Sequence, residues 1–488
     1  MGILKDLRPW ALWMYFEEIC RIPRISRNEE RIRQYLLEFA AKHNLESKED
    51  STGNILITRK AAPGFEKVKP LVLQSHMDMV GEKNADHPHN WKTDPITPVI
   101  RNGWVSASGT TLGADDGVGI AAQLAVLTDE KIHAGEIECL FTVDEESGMT
   151  GAVNLQPEFI KGRTLLNLDS EDEGILYIGC AGGMDTVGTI RYNPVPVSSD
   201  DIAVELSVTG LRGGHSGDEI HKGLGNAVKI MNGLLRELSA NTGARLSHIN
   251  AGNLRNAIAR EAFALITIEP DNLEQLLQLV NNYEELIADE LRNIDPDLRI
   301  SAKPAGMPEF VIDDKSQSLL IEVLECCPHG VIRWSAEMDD LVQTSTNLAS
   351  AKSSEGNTIV IITTQRSSVD REKHEAGEMV AACLRKAGAN IKQSEGYPGW
   401  QPDINSEILA VTTNAYRKLF GNEPLVRAIH AGLECGLIHE KVRNIDMISF
   451  GPTIRGAHTP EEKIEIASAE RFWDLLLEVI HSMSEIKA

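Results

Sequence analysis

No stretch of this chain approaches the roughly 18–20 consecutive apolar residues that cross a bilayer. Positive charge is also in short supply. Lys and Arg number 48 against 72 Asp and Glu, a formal charge of −24 at pH 7, which argues against nucleic acid or an anionic membrane surface as the main partner. The seven cysteines (Cys20, Cys139, Cys180, Cys326, Cys327, Cys383 and Cys435) are odd in number and scattered, with no CxxC pair. They fit a reducing compartment and supply no thiolate metal site. The apolar WALWMYF segment is short, runs at once into Glu17-Glu18 and lacks a small-residue cleavage site, so it does not read as a signal peptide. The opening Met-Gly does not read as a myristoylation signal, because Asp6 stands where Ser or Thr is required. The expected location is cytoplasmic, with no nucleic acid and no membrane as partner.

What is present is enough chain for more than one core. At 488 residues, two or more domains are expected, and 42% hydrophobic with 25% charged residues is ordinary for a globular protein. Residues 8–22 carry a helical pattern, and Ser26-Arg27-Asn28-Glu29 reads as a capping box opening a second amphipathic helix. NILIT (54–58) reads as a strand.

The informative stretch is LVLQSHMDMV, 71–80. A buried strand at 71–75 ends in His76 and Asp78, which share one face because side chains alternate with period two. In open α/β sheets ligands gather beyond the carboxyl ends of the strands. One His-x-Asp by itself reads first as a satisfied structural histidine, so the weight falls on the strand ends further along the chain. TTLGADDGVG (110–119) reads as a glycine-flanked turn opening a buried helix. One Asp suffices as a cap there; Asp115 beside Asp116 repels unless a cation intervenes. The strand IECLFTV (137–143) ends in Asp144, Glu145 and Glu146, with the last two expected to point in opposite directions and so to differ in role. TLLNL (164–168) ends in Asp169. DMISF (446–450) leads to a Gly/Pro-bounded loop carrying His458, before a closing helix from about 465. Apolar strands that repeatedly end in His, Asp or Glu have the composition of a divalent-cation site.

Residues from about 185 to 395 read differently, as strands alternating with helices. The expected fold is therefore α/β. A catalytic domain (1–184 and 396–488) has a mixed, largely parallel sheet flanked by helices. An inserted α+β lid domain (185–395), made of two related halves, serves substrate recognition. In that segment His215 reads either as an exposed loop histidine or as a group polarising a substrate carbonyl. Arg366 reads either as a surface arginine or as a bidentate clamp for a free carboxylate. Asn256 and Asn347 are candidates for substrate main-chain contacts. His430 and Glu434 are candidates for the pocket lining, with Glu434 suited by charge to an amino group.

SHMDMV, TTLGADDGVGIA, FTVDEESGMTGA, LNLDSEDEG and GPTIRGAHTPEE, in this order, resemble the M20 metallopeptidase family. CAGGMDT (180–186), GGHSGDEIHKGLGNA (213–227) and HAGLECG (430–436) resemble its aminoacyl-histidine dipeptidase branch. The resemblance implies two zinc ions, with Co2+ or Mn2+ able to substitute. His76 and Asp169 would hold one ion, Glu146 and His458 the other, and Asp115 would bridge them, with the Asp115–Asp116 peptide bond cis. Asp78 would orient His76, and Glu145 would be the general base toward a metal-bridged water. The implied activity is hydrolysis of unblocked L-dipeptides, Xaa-His included, by a homodimer. A deacylase or carboxypeptidase of the same family is the enzymatic alternative. A non-catalytic metal-binding scaffold would have no use for the extra carboxylate of Glu145.

Overall fold

Four parallel strands carry the endings in His, Asp and Glu. In the computed structural model, which describes residues 2–486, Ile137–Thr142, Leu71–His76, Thr164–Asn167 and Asp446–Ser449 lie side by side in the centre of an eight-stranded sheet. The Leu71–His76 and Ile137–Thr142 strands are buried along their whole length. That explains why they are mostly apolar instead of alternating, since a parallel strand covered on both faces has no solvent side; the buried Gln74, Ser75 and Glu138 are exceptions. Glu46–Glu49 and Ile55–Arg59 extend one edge antiparallel, and Ile175–Cys180 and Leu425–Ile429 form the other. The helix Ala114–Thr128 is buried on nearly every side, as a helix apolar all round must be.

The chain separates into two compact units. One comprises the chain up to Gly179, Pro402–Ala428 and the chain from Leu433; the other is Cys180–Gln401 with Ile429–Gly432. The second unit is built on a nine-stranded sheet, with Arg245–Gly252 joined to Val342–Ser354 at its middle. Its core packs the helices Ala227–Thr242, Leu273–Glu290, Asp314–Cys326 and Asp370–Lys386 against that sheet through Leu234, Val280, Leu324 and Val380, among others. The strand Ile202–Thr209 buries Val204, Leu206 and Val208 and exposes Glu205 between them, the alternation of a one-sided sheet. No helix among the described residues is long and apolar enough to cross a membrane.

Three local expectations are corrected. Ser26 does not cap the second helix, which begins at Glu30 without a side-chain cap; its hydroxyl donates instead to Asp78 Oδ2 at 2.8 Å. Glu145 and Glu146 do not continue a strand. They open a short helix, Glu145–Gly148, after a left-handed Asp144, so their side chains diverge by the helical ~100° rather than to opposite faces. Cys326 and Cys383 are joined as a disulfide across 57 residues, because the two helices that carry them pack together; scattered spacing conceals such a pairing.

Candidate metal centre

The first unit gathers its polar strand ends at one point. His76, only 1% exposed, closes its strand with Nε2 3.0 Å from Asp115 Oδ1 and 3.4 Å from Asp169 Oδ1. The other oxygen of Asp115 lies 3.1 Å from His458 Nε2, which is also 3.0 Å from Glu146 Oε2. One carboxylate thus stands between two imidazoles, an oxygen toward each. The Asp115–Asp116 peptide bond is cis. Asp115, Glu146 and His458 form one group whose oxygen and nitrogen atoms could share a cation, and His76 with Asp169 forms another that also takes in Asp116.

His458 reaches this point from far along the chain. Ile454–Arg455 pairs with Lys463–Glu465, which pairs with Trp104–Ala107; the loop carrying His458 is thereby held to the strand that precedes the turn carrying Asp115. Its side chain is half-exposed at 51%, on the open side of an otherwise enclosed cluster.

The turn itself is held by a residue that sequence reasoning missed. Glu462, buried, accepts the backbone N–H groups of Leu112, Gly113, Ala114 and Asp115 at 2.8, 2.9, 2.7 and 3.3 Å. Gly113 is left-handed (φ 69°), and a Cβ there would meet Met79 Sδ at 2.6 Å and Arg24 Nη2 at 2.7 Å. The same Arg24, also missed, is buried and donates to the carbonyls of Met77, Asp78 and Gly113. Both are charged side chains of a kind usually solvated, and only their distant partners reveal them.

Asp78 lies behind His76. Its Oδ1 is 3.5 Å from His76 Nδ1, and its two oxygens accept the backbone N–H groups of Glu145 and Glu146 at 2.9 and 3.1 Å. The His76 contact, then Ser26 and the Glu145 N–H, hold it below the usual carboxylate range against its burial. Glu145 is held well above that range by burial, reinforced by Asp169, Glu434 and Glu146. Burial and neighbouring Asp115 push Asp169 up to about 7 in spite of His76. Hydrogen bonds to Asp115 and Glu146 push His458 up to about 11. Burial and the charges of Asp115 and Asp169 lift Glu171, another residue not singled out from the sequence, to about 8. Glu145, Asp169, His458 and Glu171 therefore bind protons more tightly than the free side chains do. A donor set of two imidazoles and three carboxylates, with Glu146 Oε1 buried and unpartnered, fits divalent cations.

Glu434 is fully buried in this unit. Oε2 accepts from Gln74 Nε2 at 2.7 Å and Thr142 Oγ1 at 2.6 Å, while Oε1 has no partner. Burial lifts it to about 7.

The remaining candidates lie in the second unit. His215 Nδ1 is 3.1 Å from Asp218 Oδ2, and Asp218 stays below its usual range despite burial because His215, Arg366 and His430 surround it. Arg366 is not a surface arginine: it is 7% exposed, donates from Nη1 to Tyr397 Oη at 2.9 Å, and leaves Nε buried without a partner. His430 Nε2 is 2.7 Å from Ser345 Oγ, and burial beside Arg366 pushes it down to about 3. Asn347 donates to the carbonyls of Ala257 and Arg255, with Oδ1 unpartnered. Asn256 is exposed; its carbonyl accepts from Ser216 N at 2.9 Å.

The sequence pattern of peptidase family M20/M25/M40 matches residues 72–482. Cytosol non-specific dipeptidase of Escherichia coli (strain K12) is 41% identical over 480 residues, covering 98% of this chain and 99% of that protein. The crystal structure of aminoacylhistidine dipeptidase from Vibrio alginolyticus is 41% identical, with a TM-score of 0.89 over 98% of this chain and 97% of that one. A tripeptidase from Staphylococcus aureus, 17% identical with a TM-score of 0.58 over 98% of this chain and 100% of its own, shares the fold.

Proposed function

The chain belongs to peptidase family M20/M25/M40 and is a hydrolase of peptide bonds, and from that premise we propose that it cleaves unblocked L-dipeptides, Xaa-His among them, at a two-zinc centre. The observation that carries the reading is Asp115, whose two carboxylate oxygens face His76 and His458 at 3.0 and 3.1 Å. His76 and Asp169 would hold one ion, Glu146 and His458 the other, and Asp115 both, with Co2+ or Mn2+ able to replace zinc. Two such ions supply Lewis acidity, acidifying the attacking water and stabilising the oxyanion.

The chain's own residues do the rest. Glu145 takes the proton of the attacking water and returns it to the leaving amine; a carboxylate held above its usual range suits a base working near neutral pH. Asp78 fixes His76 through Nδ1. Recognition falls to Arg366 for the free substrate carboxylate, to His215 for a substrate carbonyl, and to Asn256, Asn347 and His430 for the rest of the substrate. The buried Glu434 offers its unpartnered oxygen toward the amino group. A homodimer in the cytoplasm is the expected form. The discriminating experiment assays metal-stripped enzyme, reloaded with defined metals, on dipeptides and their N-acetyl forms. Turnover of the free dipeptides alone is expected; preference for the N-acetyl forms would make it a deacylase.

A further inference from the structure

Two motifs carry glycines that have no part in the chemistry above, yet these glycines converge on one side chain of the second unit. Gly183, in CAGGMDT, is the cross-strand neighbour of Arg366. A Cβ on Gly183 would meet the Tyr397 hydroxyl at 2.7 Å and its ring at 2.8 Å. A Cβ on Gly432, in HAGLECG, would meet the other edge of the same ring at 2.8 Å. Gly182 lies against the backbone of Tyr397 and Pro398, where a Cβ would come within 2.5 Å of the Tyr397 carbonyl. The ring therefore occupies a slot open only because these positions lack side chains.

The backbone of Tyr397 is fixed as firmly as its ring. Its N–H and C=O exchange hydrogen bonds with Gly183 at 2.9 and 3.1 Å. Its carbonyl also accepts from Lys373 Nζ at 2.6 Å, an ammonium that is itself paired with Asp370 at 2.8 Å. At the end of this scaffold the phenol oxygen accepts from Arg366 Nη1 at 2.9 Å. The guanidinium is thus tied at one nitrogen, its Nε has no partner, and the phenol keeps its own proton to donate.

We propose that Tyr397, seated in the slot formed by Gly183 and Gly432, is a positioning residue that sets specificity: its hydroxyl aims the Arg366 guanidinium at the free carboxylate of the substrate. The inference rests on Arg366 being the carboxylate partner. A long arginine held by one fixed acceptor loses little further freedom when it binds, so the hydroxyl acts on affinity and not on the bond-breaking step.

The test is a double-mutant cycle on the metal-loaded enzyme with an unblocked dipeptide. Tyr397→Phe, which keeps the ring in its slot, is expected to raise KM about tenfold with kcat nearly unchanged. In an Arg366→Ala background the same change is expected to leave KM within about twofold, because the two residues act as one unit. Gly183→Ala, which displaces the ring, is expected to reproduce the KM effect at an unchanged metal content. An equal KM effect of Tyr397→Phe in both backgrounds, or no effect at all, overturns the role of Tyr397. An Arg366→Ala variant with unaltered KM instead overturns the carboxylate reading beneath it.

Discussion

The carboxylate of Asp78 accepts the backbone N–H of Glu145 at 2.9 Å while its same oxygen, Oδ1, faces His76 Nδ1 at 3.5 Å. That side chain therefore positions the backbone of the candidate base and faces the candidate metal imidazole, whose Nδ1 also lies 3.1 Å from the Asp78 carbonyl. Replacing it by Asn keeps the shape but substitutes an amide for one oxygen. Asp78→Asn is expected to lower metal affinity or activity by about 10–100-fold, checked by metal titration and by turnover at saturating metal.

Glu145→Gln separates binding from catalysis. The amide cannot take a proton, so kcat should fall by roughly 10²–10⁴-fold. Metal content by elemental analysis should stay at the wild-type value. Turnover surviving in that variant with metal in place would sink the mechanism.

Glu462→Gln tests the turn. Two oxygens serve four backbone N–H groups, and an amide leaves part of that set unpaired at about 1–3 kcal/mol for a buried donor. A lower unfolding midpoint together with weaker metal retention is expected, since the turn carries Asp115.

Metal removal should destabilise the fold as well as silence it. A ligand that binds only the folded state contributes about 2.7 kcal/mol at 100 times Kd, and stripping it leaves the carboxylates of this cluster to repel one another. Calorimetry with chelator, then with zinc restored, should show the midpoint fall and recover.

His329 gives the second unit a pH dependence of known sign. Burial and nearby Lys229 push it down to about 4, and its Nδ1 lies 3.3 Å from the N–H of Leu348, for which it must keep a lone pair. The unfolded chain binds this proton near pH 6.5, the folded chain only near 4. Stability therefore declines as pH falls between those values, by on the order of 3 kcal/mol in all. His329→Asn should flatten that slope in denaturant melts taken from pH 7 to pH 4.

The apolar strands and their endings were legible from residue order because a doubly covered parallel strand is mostly apolar, and His76, Asp115, Asp169 and His458 each follow or flank such a run or its turn. Side-chain burial was less legible. Arg366 read equally well as surface, and it is the fold that encloses it between Ser345 and Gly183 on neighbouring strands. Ser26 carried a valid capping signature, which lost to a buried carboxylate that offered its hydroxyl a stronger partner.

The sequence by itself determined which residue types stand at the strand ends, the order in which they come, and the family to which they point. Those are local properties, read from period, charge and spacing. Only the tertiary structure decided that Glu462 ties down a turn nearly 350 residues away, that Arg24 is spent on three carbonyls, and that glycines from separate motifs open a slot for Tyr397. Each of these depends on atoms distant in the chain meeting within about 3 Å, and residue order carries no signal of such a contact until the backbone has brought its partners together.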